Sequence, residues 1–173
     1  MPHTLPRSRA RSEEIILFVY FLIYGFGGSS WLVRLPEVRE AIDVSTSVLG
    51  WVLFAGAVGA MTSLISAGKY IARFGAKNAT ITGFSLLGAG QIVQAFAVAT
   101  GSATGVAAGA LIAGLGYGIG DVGINVEGAD LEKHKGKSLL PRLHGAYSLG
   151  ALAGAAVGTL AIISDFSLTT QML

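Results

Sequence analysis

The 173-residue sequence has no cysteine, which excludes disulfides, thiolate metal sites and a cysteine nucleophile. Charge is scarce: 13% of residues are Asp, Glu, Lys or Arg, against roughly 25% in a soluble domain. Histidine occurs three times, at His3, His134 and His144, too scattered for a metal motif. The formal net charge of +2 is too small, and too interrupted by apolar runs, for a nucleic-acid footprint. What the chain does have is apolar residues, 52% of the total, and 25 glycines without a collagen-like period. A mean hydropathy of +0.64 agrees. These features describe a membrane protein.

A spanning helix needs about 20 mostly apolar residues. Residues 15–33 carry no charge, and neither do residues 44–67. The uncharged run 78–120 is too long for one crossing and breaks at 100–105 (TGSATG), a turn-forming stretch. The expected helices are therefore 15–33, 44–68, 78–99, 103–125 and 143–164, after an N-terminal tail, 1–14. The runs lack the two-residue alternation of a lipid-facing barrel strand, so the fold class is an all-α integral membrane bundle. The apolar stretch of the first span is longer than that of a cleaved signal peptide.

Basic residues sort by side. Arg7, Arg9 and Arg11 precede the first span. Lys69, Arg73 and Lys77 follow the second, and Lys133, Lys135, Lys137 and Arg142 follow the fourth, leaving Arg34 and Arg39 opposite. By the positive-inside rule the N-terminus and the tail 1–14 are cytoplasmic, in a cell (inner) membrane, and Leu173 lies outside.

Several patterns carry little. Gly118-x-Gly120-x-x-Gly123 has dinucleotide-binding spacing, but no strand precedes it. Asn78-Ala79-Thr80 is a glycosylation acceptor on the cytoplasmic side, where it goes unused. Gly150-x3-Gly154-x3-Gly158, Gly105-x3-Gly109 and Gly116-x3-Gly120 form smooth helix faces, serving either close packing or the sliding of helices. Around Tyr24, expected at mid-depth, the run Gly25-Phe26-Gly27-Gly28 reads either as a broken helix at a binding site or as a packing patch. Asp121 is expensive inside a span. Asn125 lies at i+4 on the same face, and His144 opens the next span at the same inner level. Tyr24 is thus a candidate solute contact, and Asp121, Asn125 and His144 form a candidate cytoplasmic gate. The alternative for these groups is separate snorkelling at the interface. No Ser–His or paired-carboxylate arrangement points to an enzyme, and no cofactor or metal is implied.

Gly68-Lys-Tyr-Ile-Ala-Arg-Phe-Gly-Ala-Lys77 resembles the loop signature of the major facilitator superfamily, roughly G-x-L-A-D-R-x-G-R-K. Gly68, Arg73, Gly75 and Lys77 match it, while Ala72 replaces the Asp and Ala76 the second Arg. Trp31-Leu-Val-Arg-Leu-Pro36, Asp121-x3-Asn125, Leu131-Glu132, Pro141 and His144-Gly-Ala-Tyr-Ser-Leu-Gly150 resemble a sugar- and fucose-permease-like branch. The resemblance implies the first five helices of a six-helix N-terminal bundle. It further implies secondary transport of a small polar solute by alternating access, with a missing C-terminal half or partner chain, and the lipid bilayer as surroundings. Ala110 stands where some branches carry a proton-coupling Arg, and the antiporter signature of the fifth helix lacks its Pro. The competing expectation is a non-transporting scaffold or remnant whose helices only pair with partner helices.

Overall fold

The computed structural model describes residues 7–172. Its elements are α1 (Arg7–Leu32), α2 (Leu35–Ala41), α3 (Thr46–Phe74), α4 (Ala76–Ala99), α5 (Ala103–Lys135), α6 (Leu140–Ile163) and α7 (Leu168–Met172), with no strand among the described residues. Five of them, α1, α3, α4, α5 and α6, are long and apolar enough to cross a membrane.

Local chemistry sets where the helices start and stop. Ser45 and Ser102 cap α3 and α5, accepting from the amides of Val48 at 3.3 Å and Gly105 at 3.1 Å. Pro36 and Pro141 sit at the first turns of α2 and α6, where a missing N–H costs nothing. Gly136 ends α5 with φ 62°, a left-handed conformation open to glycine. Gly75, at φ 85°, is the whole connection between α3 and α4.

Three boundaries differ from the sequence expectation. Residues 1–6 of the expected tail lie outside the described residues, but 7–14 are already helical in α1. The helix expected to end at 125 continues to Lys135. Charge marks where lipid ends, whereas a helix stops only where its backbone is given another partner. The signature expected in a loop is mostly helical: Gly68 and Arg73 close α3, and Lys77 opens α4. Nor is α1 broken at Gly25–Gly28; it runs unbroken to Leu32. In lipid an interrupted ladder leaves backbone groups unsatisfied, and Gly25 has a packing use instead.

Glycine brings the helices together. Along α6, a Cβ at Gly150, Gly154 or Gly158 would fall 2.0, 2.3 or 2.4 Å from the carbonyl oxygens of Leu22, Phe26 and Ser30. The matched order shows that α1 and α6 run parallel. Between α4 and α5 the order is reversed, with Gly83 on Gly120 and Gly90 on Ala113, so these helices are antiparallel. Gly59 of α3 meets Leu111, and Gly118 of α5 meets Ala60 and Ser63. The dinucleotide-like glycines are therefore packing positions in a continuous helix. Outward faces are apolar: Ile65 is 77% exposed, Ile163 74% and Trp51 71%. Such residues are at ease against lipid, where small-residue interfaces replace the hydrophobic drive to associate.

Candidate functional site

The helix order places the junctions α3–α4 and α5–α6 at one end of the bundle, with the start of α1. That end is fastened by charge. Glu14 of α1 pairs with Lys135 and, at 3.2 Å, with Arg142. Glu132 Oε2 accepts from the backbone amides of Leu139 at 2.7 Å and Leu140 at 3.0 Å. Two N–H groups that α6 leaves without an internal partner are thus satisfied, and the turn 136–139 is tied down. Arg73 and Lys77 are exposed at this end, the Arg73 guanidinium 5.3 Å from the Phe74 ring centre. Lys77 also lines a cavity of about 590 Å³ between α1, α4 and α5, together with Glu13, Glu127, Asp130 and His134. In its wall the Thr80 hydroxyl donates to Glu127 at 2.9 Å.

Deeper in the bundle, α5 carries a polar stripe. Tyr117, Asp121 and Asn125 recur at four-residue spacing, all half-buried. Asn125 Nδ2 donates to the Asp121 carbonyl at 2.8 Å and to its carboxylate at 3.3 Å. Tyr117 is flanked by Gly114, Gly116, Gly118 and Gly120, so it is the one ring that this part of α5 presents. Its hydroxyl lies 3.1 Å from that of Tyr147 on α6. Gly25 makes the approach of α6 possible: a Cβ there would sit 2.1 Å from the Tyr147 carbonyl oxygen.

Tyr24 lies behind this pair. The sequence made it the candidate solute contact, but it is 1% exposed and its hydroxyl donates to the Tyr117 carbonyl. Its ring stacks on that of Tyr117, with centres 4.5 Å apart and planes 17° from parallel, and the tilted Phe84 ring lies 5.4 Å from it. A ring so enclosed cannot touch a solute in this conformation. His144 is exposed on α6, its ring 5.4 Å from that of Phe21. Asp121, Asn125 and His144 belong to the two neighbouring helices α5 and α6. Among the described residues, no group of three His, Asp or Glu side chains is placed to hold a metal.

Sequence reasoning missed two features. Tyr117 went unremarked and Tyr147 entered only as part of the run His144–Gly150, because their pairing spans two helices. Arg34 was weighed as a topological charge and as part of the run Trp31–Pro36, without a structural role, yet it is 2% exposed at the opposite end. It pairs with Glu37 and donates to the Phe166 carbonyl at 2.7 Å and to Gln171 Oε1 at 2.6 Å. Gln171 in turn donates to the Ser30 carbonyl at 3.3 Å. The one available signal was position: an arginine directly after an apolar span, followed by Pro and Glu.

Comparison with known proteins gives consistent matches. The model of the sugar (and other) transporter family matches residues 4–126. An uncharacterized MFS-type transporter of Yersinia pestis is 24% identical over 144 residues, covering 83% of this chain and 37% of that protein. An uncharacterized transporter of Sinorhizobium fredii is 27% identical over 150 residues, with the same 83% and 37% coverage. The membrane protein MosC of Rhizobium meliloti is 28% identical over 163 residues, 94% of this chain and 38% of MosC. The chain thus spans little more than a third of the length of these relatives. No solved structure matches it.

Proposed function

Because the chain belongs to the sugar (and other) transporter family, as an N-terminal portion of a major facilitator superfamily protein, we propose that it serves secondary transport of a small polar solute by alternating access. The observation that carries this reading is the stripe Tyr117–Asp121–Asn125. A carboxylate and an amide held within an apolar bundle are costly to keep and usually face a water-filled path or a partner. No covalent chemistry is assigned to the chain.

In this reading Asp121, Asn125 and His144 form the inner gate. They lie in the halves of α5 and α6 toward the end that carries Arg11, Lys69, Lys77 and Lys137, Asp121 just past the middle of α5, and that end is cytoplasmic by the positive-inside rule. The packed glycine faces of α1 and α6 suit a rigid body that rocks as a unit against a second bundle. Five spans supply less than one such pair of bundles, so the solute path is completed by a C-terminal half or a partner chain. The membrane is a cell (inner) membrane.

The test is uptake of radiolabelled neutral, cationic and anionic solutes into proteoliposomes containing this segment together with the C-terminal half or partner chain that completes the path. Saturable uptake of any of them supports the reading. Protein that is folded and inserted but moves none leaves helix pairing alone, the scaffold role, as the function. A sharper test lies within the chain: the purified 173-residue segment is expected to show no saturable uptake by itself.

A further inference from the structure

Resting on the transport reading, we propose that the Tyr117–Tyr147 hydroxyl pair is the solute-contacting wall of this segment and that Tyr24 is its positioning residue. The solute it accepts is uncharged or cationic and bears hydrogen-bond donors; an anion is excluded.

Three observations build this wall. The first is a division of labour among the phenols. Tyr24 is sealed in the interior with its hydroxyl used internally, while Tyr117 and Tyr147 are half-buried and bond to one another. In a phenol pair one O–H donates to the other, so one proton and several lone pairs remain free for a ligand. The second is that glycine contacts lock the helices on either side of the pair, with α3 and α4 closing on the glycines of α5. Glycines flank Tyr117 on α5, and Gly25 lets α1 approach α6 at Tyr147. The Tyr24 ring under Tyr117, with its hydroxyl on the Tyr117 carbonyl, fixes both the ring plane and the local position of α5.

The third observation sets the sign of charge. Asp121 lies one helical turn from Tyr117 on the same face, and among the described residues its carboxylate has no ion-pair partner within 4 Å. Its hydrogen-bonding neighbour is the neutral Asn125. Of the basic side chains of α5 and α6, Lys133, His134, Lys135 and Arg142 lie further inward, where Asp130 and Glu14 engage them, while His144 is exposed on α6. The wall therefore offers phenol oxygens and a carboxylate field, with His144 of α6 the basic group that faces Asp121, beyond ion-pair distance. In a poorly screened site that field attracts a positive group, tolerates a neutral donor and repels an anion. A cation can also rest against the exposed parts of the tyrosine rings.

Thiol labelling tests this without knowledge of the solute. The chain has no cysteine, so each engineered thiol is the only one it contributes. Tyr117→Cys, Tyr147→Cys and Tyr24→Cys are placed separately in the protein in membrane vesicles. Each is treated with a trimethylammonium and a sulfonate methanethiosulfonate, with rates normalised to a free small thiol. Tyr117→Cys and Tyr147→Cys are expected to favour the cationic reagent at least tenfold. Adding Asp121→Asn should reduce that preference below threefold, and Tyr24→Cys should react at least thirtyfold more slowly than either. Tyr147→Cys carries the test if Tyr117→Cys does not fold. Equal or faster labelling by the sulfonate, or Tyr24→Cys reacting as fast as Tyr117→Cys, overturns the inference and leaves the transport reading intact. Charge-selective labelling in a protein that moves no solute supports the wall and overturns the transport reading.

Discussion

Replacing Gly150 by alanine tests whether the α1–α6 interface is held by backbone approach. An alanine Cβ at this site would lie 2.0 Å from the Leu22 carbonyl oxygen, whereas ordinary contact begins at 3.4 Å. The obstacle is backbone, so no side chain can rotate away, and the helices must part by more than an ångström. A gap of 0.5–1 Å already forfeits roughly a quarter to a half of each dispersion contact along the seam. In lipid no hydrophobic term restores the loss. Overpacking of this kind costs about 1–3 kcal/mol, and the backbone clash puts Gly150→Ala at the upper end. Gly145, on the same helix, is the control. Its added Cβ meets nothing within 4 Å, so Gly145→Ala should gain up to about 1 kcal/mol of helix propensity. The difference between the two variants is then about 3 kcal/mol. Reversible unfolding in mixed micelles, followed by the fluorescence of Trp31 in the last turn of α1 in a Trp51→Phe background, measures it. Equal stability of Gly150→Ala and Gly145→Ala would refute the claim that close backbone contact holds these helices.

Three further outcomes are expected. Alkaline phosphatase fused after Leu173 should be active, because the basic residues place that end outside; a silent fusion with a stable product means a miscounted crossing. Arg34→Leu removes the guanidinium bonds to Glu37, Phe166 and Gln171, which at roughly 1.5–3 kcal/mol per charge-assisted bond before compensation should cost about 2–4 kcal/mol locally. Protease added from outside should then cut within 164–172 at least tenfold faster; an unchanged cleavage rate counts against the clasp. Asp121→Asn keeps the shape and Asn125 contact but removes the charge, so uptake of a neutral solute should slow at least tenfold while its equilibrium binding changes less than threefold. Loss of binding in a folded protein would place Asp121 in the solute site rather than the gate.

The bundle was legible in the sequence because lipid imposes simple rules. An uncharged run of sufficient length must be helical, and the five runs found that way are the five long apolar helices. Ends were harder to read, for a specific reason. Lys133 and Lys135 announce water, but water does not end a helix; α5 runs on until Gly136 adopts a left-handed conformation. The signature from Gly68 to Lys77 was read as a loop because its charges interrupt the apolar runs, yet the only residue of it outside a helix is Gly75. In both cases hydropathy located the boundary of the solvent rather than the boundary of the fold.

The site shows what periodicity on one helix cannot convey. Asp121 and Asn125 were found because they share a face of α5, and their hydrogen bond follows from that spacing. Tyr117 sits on the same stripe, one turn away from Asp121, and went unnoticed because a tyrosine in an apolar span carries no visible cost. What distinguishes it is its neighbours, Tyr24 from α1 stacked on its ring and Tyr147 from α6 at its hydroxyl. Tyr24 drew attention through the glycines beside it, but only one of the three has a contact to protect. Gly25 faces the backbone of α6, whereas a Cβ at Gly27 or Gly28 would meet nothing within 4 Å. The glycine run therefore marks a close helix crossing, and that crossing buries Tyr24 while bringing Tyr147 to Tyr117. In the proposed wall the conspicuous tyrosine is the support, and the inconspicuous pair is the surface that it holds in place.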